Sequence, residues 1–213
     1  MEKNIIQKCG ESKKSVTDDV VLMGVYPQGE NAEIKPIEWL ILKQMGNKAM
    51  LISKYALDTR HYNNSIGYES VTWETCSLRQ WLIQDFFNQA FNSKEKANIL
   101  TTNVLAHNNP EFIVDSGNAT TDKVFLLSVS EAKGYFKSEA DRQCVPTPYA
   151  KKHGAYTYNM AYGKTTCAWW LRTPGDDQFC AADVDCDGSI HLAGLGCKCD
   201  DTCVRPALCV NME

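Results

Sequence analysis

Apolar residues come mostly in short runs, separated by polar stretches rich in Gly and Asn, and the runs follow two different periods. Residues 19–26 (DVVLMGVY) read as a strand stopped by Pro27-Gln28-Gly29. Residues 37–44 (IEWLILKQ) and 48–55 (KAMLISKY) are β-type runs. The MGNK turn between them predicts a hairpin that buries Trp39, Ile41 and Leu51. Residues 58–74 are polar and read as loop. The run SLRQWLIQDFF sets Leu78, Trp81, Leu82 and Ile83 on a helical stripe, capped by Thr75 or Ser77. A second helix is predicted over 93–100, with Ser93 as cap and Glu95 favouring the positive end of its dipole. A strand over 122–129, a short helix over 130–136 capped by Ser130, and a Pro-opened helix over 146–155 closed by Gly154 follow. From "CAWWLRT" onward the chain reads as short strands and Gly-rich turns. This mixture predicts one α+β domain over residues 18–213, behind a polar, flexible tail over 1–17.

The 213 residues, 44% hydrophobic and 23% charged, are enough for a substantial core. A net charge of −4 argues against a phosphate-seeking basic face, so no nucleic-acid partner is expected. No window approaches the ~18 apolar residues of a membrane span. The first residues, MEKNIIQKCGESKKSVTDD, lack the apolar core of a signal peptide, which makes the cytoplasm the default expectation.

Ten cysteines change the picture, because six of them fall between Cys180 and Cys209. A structural zinc site usually presents its ligands as C-x₂₋₄-C pairs. Only Cys199 and Cys203 have such a gap here; a zinc-stabilised module would use Cys197, Cys199, Cys203 and either Cys180 or Cys186, with His191 as a further donor. The run DVDCDG, with Asp183, Asp185 and Asp187 before Gly188, matches the opening of a calcium loop. Counted from Asp183, however, its twelfth position is Gly194, which has no carboxylate, so an Asp-Gly hairpin turn is the better reading. No local pairing of a cysteine with His61, His107, His153 or His191 marks a nucleophile, and Cys76, Cys144 and Cys167 read as small buried residues. No cofactor and no catalytic residue are expected. Trp169, Trp170, Arg172, Arg205 and Pro206 read as scaffold on either side of the irregular segment.

Several words in this order carry a resemblance: VYPQGE (25–30), IEWLIL (37–42), TWETCSLRQWL (72–82), AFNSKEKANI (90–99), VFLLSVSEAKGYF (124–136), WWLRTPG (169–175), DGSI (187–190) and VRPAL (204–208). With them the chain resembles bacterial C-type-lectin-like domains related to the formylglycine-generating-enzyme fold, of the kind found as variable proteins of diversity-generating retroelements. The resemblance implies two main helices packed on small antiparallel sheets, with a loop-rich C-terminal binding face over residues 176–203. It departs from the family look at Cys203, where Gly is usual, and at Cys209, where a bulkier residue is common.

The resemblance also implies a non-enzymatic protein that displays a diversified surface to a protein or glycan ligand. Its contact residues would be Asp176, Asp177, Phe179, Cys180, Asp183, Asp185, Cys186, His191, Leu192, Leu195, Cys199, Asp200 and Asp201. These fit the residues reachable from adenine-mutated Asn codons, whereas Gln178 and Lys198 do not. The competing readings are the zinc-stabilised module and a divergent enzyme of formylglycine-generating type. The latter would need a redox-active cysteine pair, and fold alone does not carry that activity.

Overall fold

The structure, a computed structural model, describes residues 20–64, 70–160 and 163–212. The expected tail over 1–17 lies outside the described residues. Strand dominates: 40% of the chain is strand and 20% helix, and the main antiparallel sheet curls into a half-barrel. This overturns the expected α+β arrangement of two main helices on small sheets, and the C-type-lectin-like fold with it. The physical reason is that the aliphatic runs pair with one another across long sequence separations, while the helical segments stay short.

The first sheet runs in the order Val20–Pro27, Ile34–Met45, Lys48–Ser53, Ala207–Asn211 and Ile99–Leu100, with Val124–Phe125 pairing a further part of Ala207–Asn211. The predicted hairpin is present: Met45 faces Lys48 across Gly46-Asn47, and Gly46 takes the positive φ of 60° that the tight turn needs. Trp39 and Leu51 are fully buried, and Ile41 is half-buried. The second sheet runs Ile190–Gly196, Cys180–Val184, Trp169–Pro174, Cys203–Val204 and Asp58–Thr59.

The two sheets share chain. Residues 53–59 run antiparallel to 203–207, through Ser53 N–H to Pro206 O (2.9 Å) and Leu57 N–H to Val204 O (3.0 Å). Arg205 sits at this corner, 1% exposed. Its guanidinium donates to Ser53 O (3.0 Å) and Arg142 O (3.3 Å) and lies over the rings of Trp169 (4.9 Å) and Phe136 (5.3 Å). The buried indoles are each satisfied: Trp39 donates to Met23 O, Trp73 to Asp122 Oδ2, Trp169 to Arg142 O and Trp170 to Arg60 O.

The helices are local braces. The run SLRQWLIQDFF is helical over Ser77–Trp81, widens to a π turn over Leu82–Phe86 and ends at Ala90. Its cap is Cys76, whose sulfur accepts from Arg79 N–H, and not the predicted Thr75 or Ser77. The next two helices, Ser93–Asn98 and Val129–Tyr135, begin with full capping boxes, Asn92 with Glu95 and Ser128 with Glu131. The predicted caps Ser93 and Ser130 lie one and two residues too late. The strand predicted over 122–129 is broken: Asp122 ends the strand Thr120–Asp122, Val124–Phe125 follows as a separate short strand, and Ser128 already caps the next helix.

Glu131 does more than cap. It forms a bidentate pair with Arg172, at 2.5 Å to Nη1 and 2.9 Å to Nη2, and Arg172 also donates to the carbonyls of Leu105 and Leu126. Burial raises the Glu131 carboxyl, but the Arg172 hydrogen bonds and charge outweigh it and hold the group below its usual range. Glu131→Ala leaves a guanidinium with a 2% exposed side chain without its counter-charge, and is expected to destabilise the fold by about 3–5 kcal/mol in urea unfolding at neutral pH. A depressed carboxyl contributes fully above its unfolded value of about 4.3 and loses its contribution as pH falls through the folded value. The gap between wild type and variant is therefore expected to narrow in acid.

Candidate functional site

The segment 176–203 forms the outer hairpin of the second sheet, Cys180–Val184 against Ile190–Gly196, with Ile190–Gly196 at the edge. The DVDCDG run makes its turn. Asp185 N–H bonds Ser189 O (2.9 Å), Gly188 N–H bonds Asp185 O (2.8 Å), and Asp187 Oδ1 accepts from Ser189 N–H (2.8 Å). Gly188 is required here: it has φ 89°, and a Cβ would sit 1.9 Å from Glu139 O. Arg142 Nε donates to Gly188 O (2.7 Å) and Gln143 to Asp187 O (3.1 Å), so the turn is docked on the helix Glu139–Arg142.

The other end of the hairpin is pinned as well. Asp176 N–H bonds Ala193 O (2.8 Å), Asp177 Oδ1 accepts from Phe179 N–H (2.6 Å), and Cys197 N–H bonds Phe179 O (2.7 Å). Asn109, 6% exposed, reaches in from a distant loop and donates to Pro174 O and Leu192 O, both at 2.8 Å. Sequence reading missed Asn109, Arg142 and Gln143. Nothing local marks them, since each acts on a backbone carbonyl some 44 to 83 residues away.

The thirteen expected contact residues divide. Asp176, Asp177, Phe179, Asp185, His191 and Asp200 are exposed. Cys180, Leu192, Leu195, Cys199 and Asp201 are half-buried, with Leu192, Leu195 and Cys199 packed against the core. Asp183 and Cys186 are buried. The irregular segment is thus an exposed rim on a structural floor. Charge concentrates in it: residues 176–203 hold seven aspartates against one lysine, Lys198, within a chain of net −4, so the remainder is net positive.

Among the described residues, one group of three ligand-type side chains brings its atoms within 4.8 Å of one another: Asp176, Asp177 and Cys180. The five cysteines considered for zinc are not gathered in that way. Cys180 gives no ready thiolate, because burial and the neighbouring Asp177 and Asp176 push its thiol up to about 12.

Asp183 faces His191 directly across the strands, with His191 Nδ1 3.1 Å from Asp183 Oδ1. Burial is the main cause that lifts the Asp183 carboxyl to about 7; His191 opposes the shift and Asp185 adds to it. An acid raised on folding costs stability progressively as pH rises from its unfolded value of about 3.9 to its folded value. Asp183→Asn is expected to raise the thermal midpoint at pH 8, with a gain that grows between pH 4 and 7 and then levels off. Thermal melts across that range check it; a gain largest in acid would contradict the assignment.

No curated protein and no solved structure matches the chain. A family model described as a domain of unknown function (DUF6273) matches residues 46–212, well over half of the sequence and inclusive of the whole outer hairpin. The chain belongs to this DUF6273 family.

Proposed function

We propose that the chain is a non-enzymatic recognition module that binds the basic surface of a protein partner through the exposed rim of the outer hairpin. The observation that carries this reading is the concentration of negative charge in residues 176–203 on a chain that is otherwise net positive. Asp176 and Asp177 stand beside Phe179, which supplies apolar contact area, and Asp185, His191 and Asp200 extend the rim. A face pinned at both ends loses little freedom on binding, which favours affinity. Diversification belongs to the same reading. The exposed residues Asp176, Asp177, Phe179, His191 and Asp200 are reachable from adenine-mutated Asn codons, whereas the buried floor would tolerate few replacements.

Titration with a panel of peptides of graded Lys and Arg content tests the recognition. Affinity is expected to rise with peptide charge and fall with added salt. The double substitution Asp176→Asn with Asp177→Asn should weaken binding about tenfold, on the order of 1.4 kcal/mol, while the melting point stays within a few degrees. Binding that ignores peptide charge would overturn the reading. Sequencing the locus checks diversification: a neighbouring reverse transcriptase and a near-identical repeat of the hairpin's coding sequence are expected, and their absence would remove that part alone.

A further inference from the structure

Away from the hairpin rim, three buried cysteines meet near the corner where the two sheets join. Cys144 and Cys167 face each other in an isolated antiparallel bridge, with Cys167 N–H bonded to Cys144 O at 2.9 Å. Directly opposed antiparallel residues have Cα atoms about 4.5–5.5 Å apart. That lies within the roughly 4.4–6.8 Å that a disulfide spans. The Cys167 thiol donates to Cys144 O (3.5 Å), and the Cys144 thiol donates to the carbonyls of Lys54 (3.7 Å) and Val145 (3.8 Å). Both residues are almost fully buried, and each described cysteine is a free thiol. Cys203, whose N–H bonds Ala168 O (3.0 Å), lies next to Cys167 and holds Thr59 Oγ1 at 3.9 Å.

We propose that Cys144 and Cys167 form a redox site, a dithiol that closes reversibly to a disulfide by exchange with a small-molecule disulfide. Arg205 provides the electrostatic reason. Its guanidinium is buried and, among the described residues, forms no ion pair with a carboxylate. It is held by two carbonyls and two aromatic faces, one of the carbonyls being that of Arg142, two residues before Cys144. An uncompensated buried cation favours the anionic form of a nearby acid, and Cys144 is a thiol that feels the Arg205 charge. Burial alone would raise this thiol, yet the neighbouring Cys167 thiol and the Arg205 charge bring it down to about 7. Cys167, buried beside two sulfurs, is pushed up and keeps its proton. The pair is therefore asymmetric, with Cys144 as the attacking sulfur and Cys167 as the resolving one.

The chemistry balances. The Cys144 thiolate attacks one sulfur of the small disulfide, forms a mixed disulfide and releases one small thiolate. Cys167 then loses its proton and attacks Cys144 Sγ, which releases the second small thiolate. Two protein thiols and one small disulfide become one protein disulfide and two small thiols. Access to the buried pair requires local opening, and Cys167 itself ends a short pairing, Thr157–Asn159 with Thr165–Cys167, three residues on each strand. A two-stranded pairing of this size is marginal by itself and opens at less cost than the whole fold.

The full chain is incubated in a series of oxidised and reduced glutathione ratios, acid-quenched, alkylated under denaturing conditions and mapped by mass spectrometry. The expected product is a Cys144–Cys167 cross-linked peptide, two hydrogens lighter than the dithiol and reversed by dithiothreitol. Alkylation at both positions should fall more than tenfold, and the oxidation rate should rise between pH 6 and 8. Cys203→Ser should keep the cross-link and Cys144→Ser should abolish it. If Cys144→Ser does not fold, the wild-type map still decides. Full alkylation of Cys144 and Cys167 in the most oxidising mixture, or a Cys167–Cys203 link in their place, would overturn the proposal.

Discussion

Arg205 is the constraint on which the rest of the structure depends. A full positive charge is held at the corner where the strands of one sheet become the strands of the other, with the aromatic faces of Trp169 and Phe136 against it. Desolvating a guanidinium is expensive, and the cost is offset here by carbonyls that must be in register to receive it. Ser53 O and Arg142 O belong to segments far apart in sequence, so satisfying Arg205 fixes the end of the central hairpin strand and the loop that carries Cys144 in one act. The same charge bears on the Cys144 thiol and favours its ionised form. Fold and chemistry at this corner follow from one buried cation.

The outer hairpin obeys a different logic. Its strand residues Ala181, Ala182, Asp183 and Val184 are buried, so the hairpin is a layer of the fold and not a free loop. Backbone bonds and the side chains of Asn109, Arg142 and Gln143 hold both its ends. What faces solvent is a narrow rim of Asp176, Asp177, Asp185, Asp187 and Asp200 with Phe179, His191 and Lys198. Rigid backbone beneath exposed, mostly acidic side chains allows the rim to change in composition without disturbing the core.

Legibility in the sequence tracked the range of the interaction. The hairpin over residues 34–53 was readable because alternation and a Gly-Asn turn are local signals. The capping boxes at Asn92–Glu95 and Ser128–Glu131 are present as spacing, but Ser93 and Ser130 stand one and two residues further on and compete for the cap. Asp183 shows the limit of a period of two. Alternation correctly sets it in phase with Asp185, but parity cannot say whether a given face is covered. Here Asp183 stands opposite Trp170 on one neighbouring strand and His191 on the other, and it is buried.

By itself the sequence determined the strand runs, the tight turns, the amphipathic segment after residue 76 and the acidity of residues 176–203, because each depends on neighbours a few residues away. Only the tertiary structure decided that Ala207–Asn211 lies at the centre of the main sheet, touching three other strands, and that strand outweighs helix. It alone placed Cys144 opposite Cys167 and, among the described residues, left Arg205 without a carboxylate partner. These outcomes rest on pairings between residues tens to more than a hundred positions apart, and local periodicity carries no information about partners at that distance.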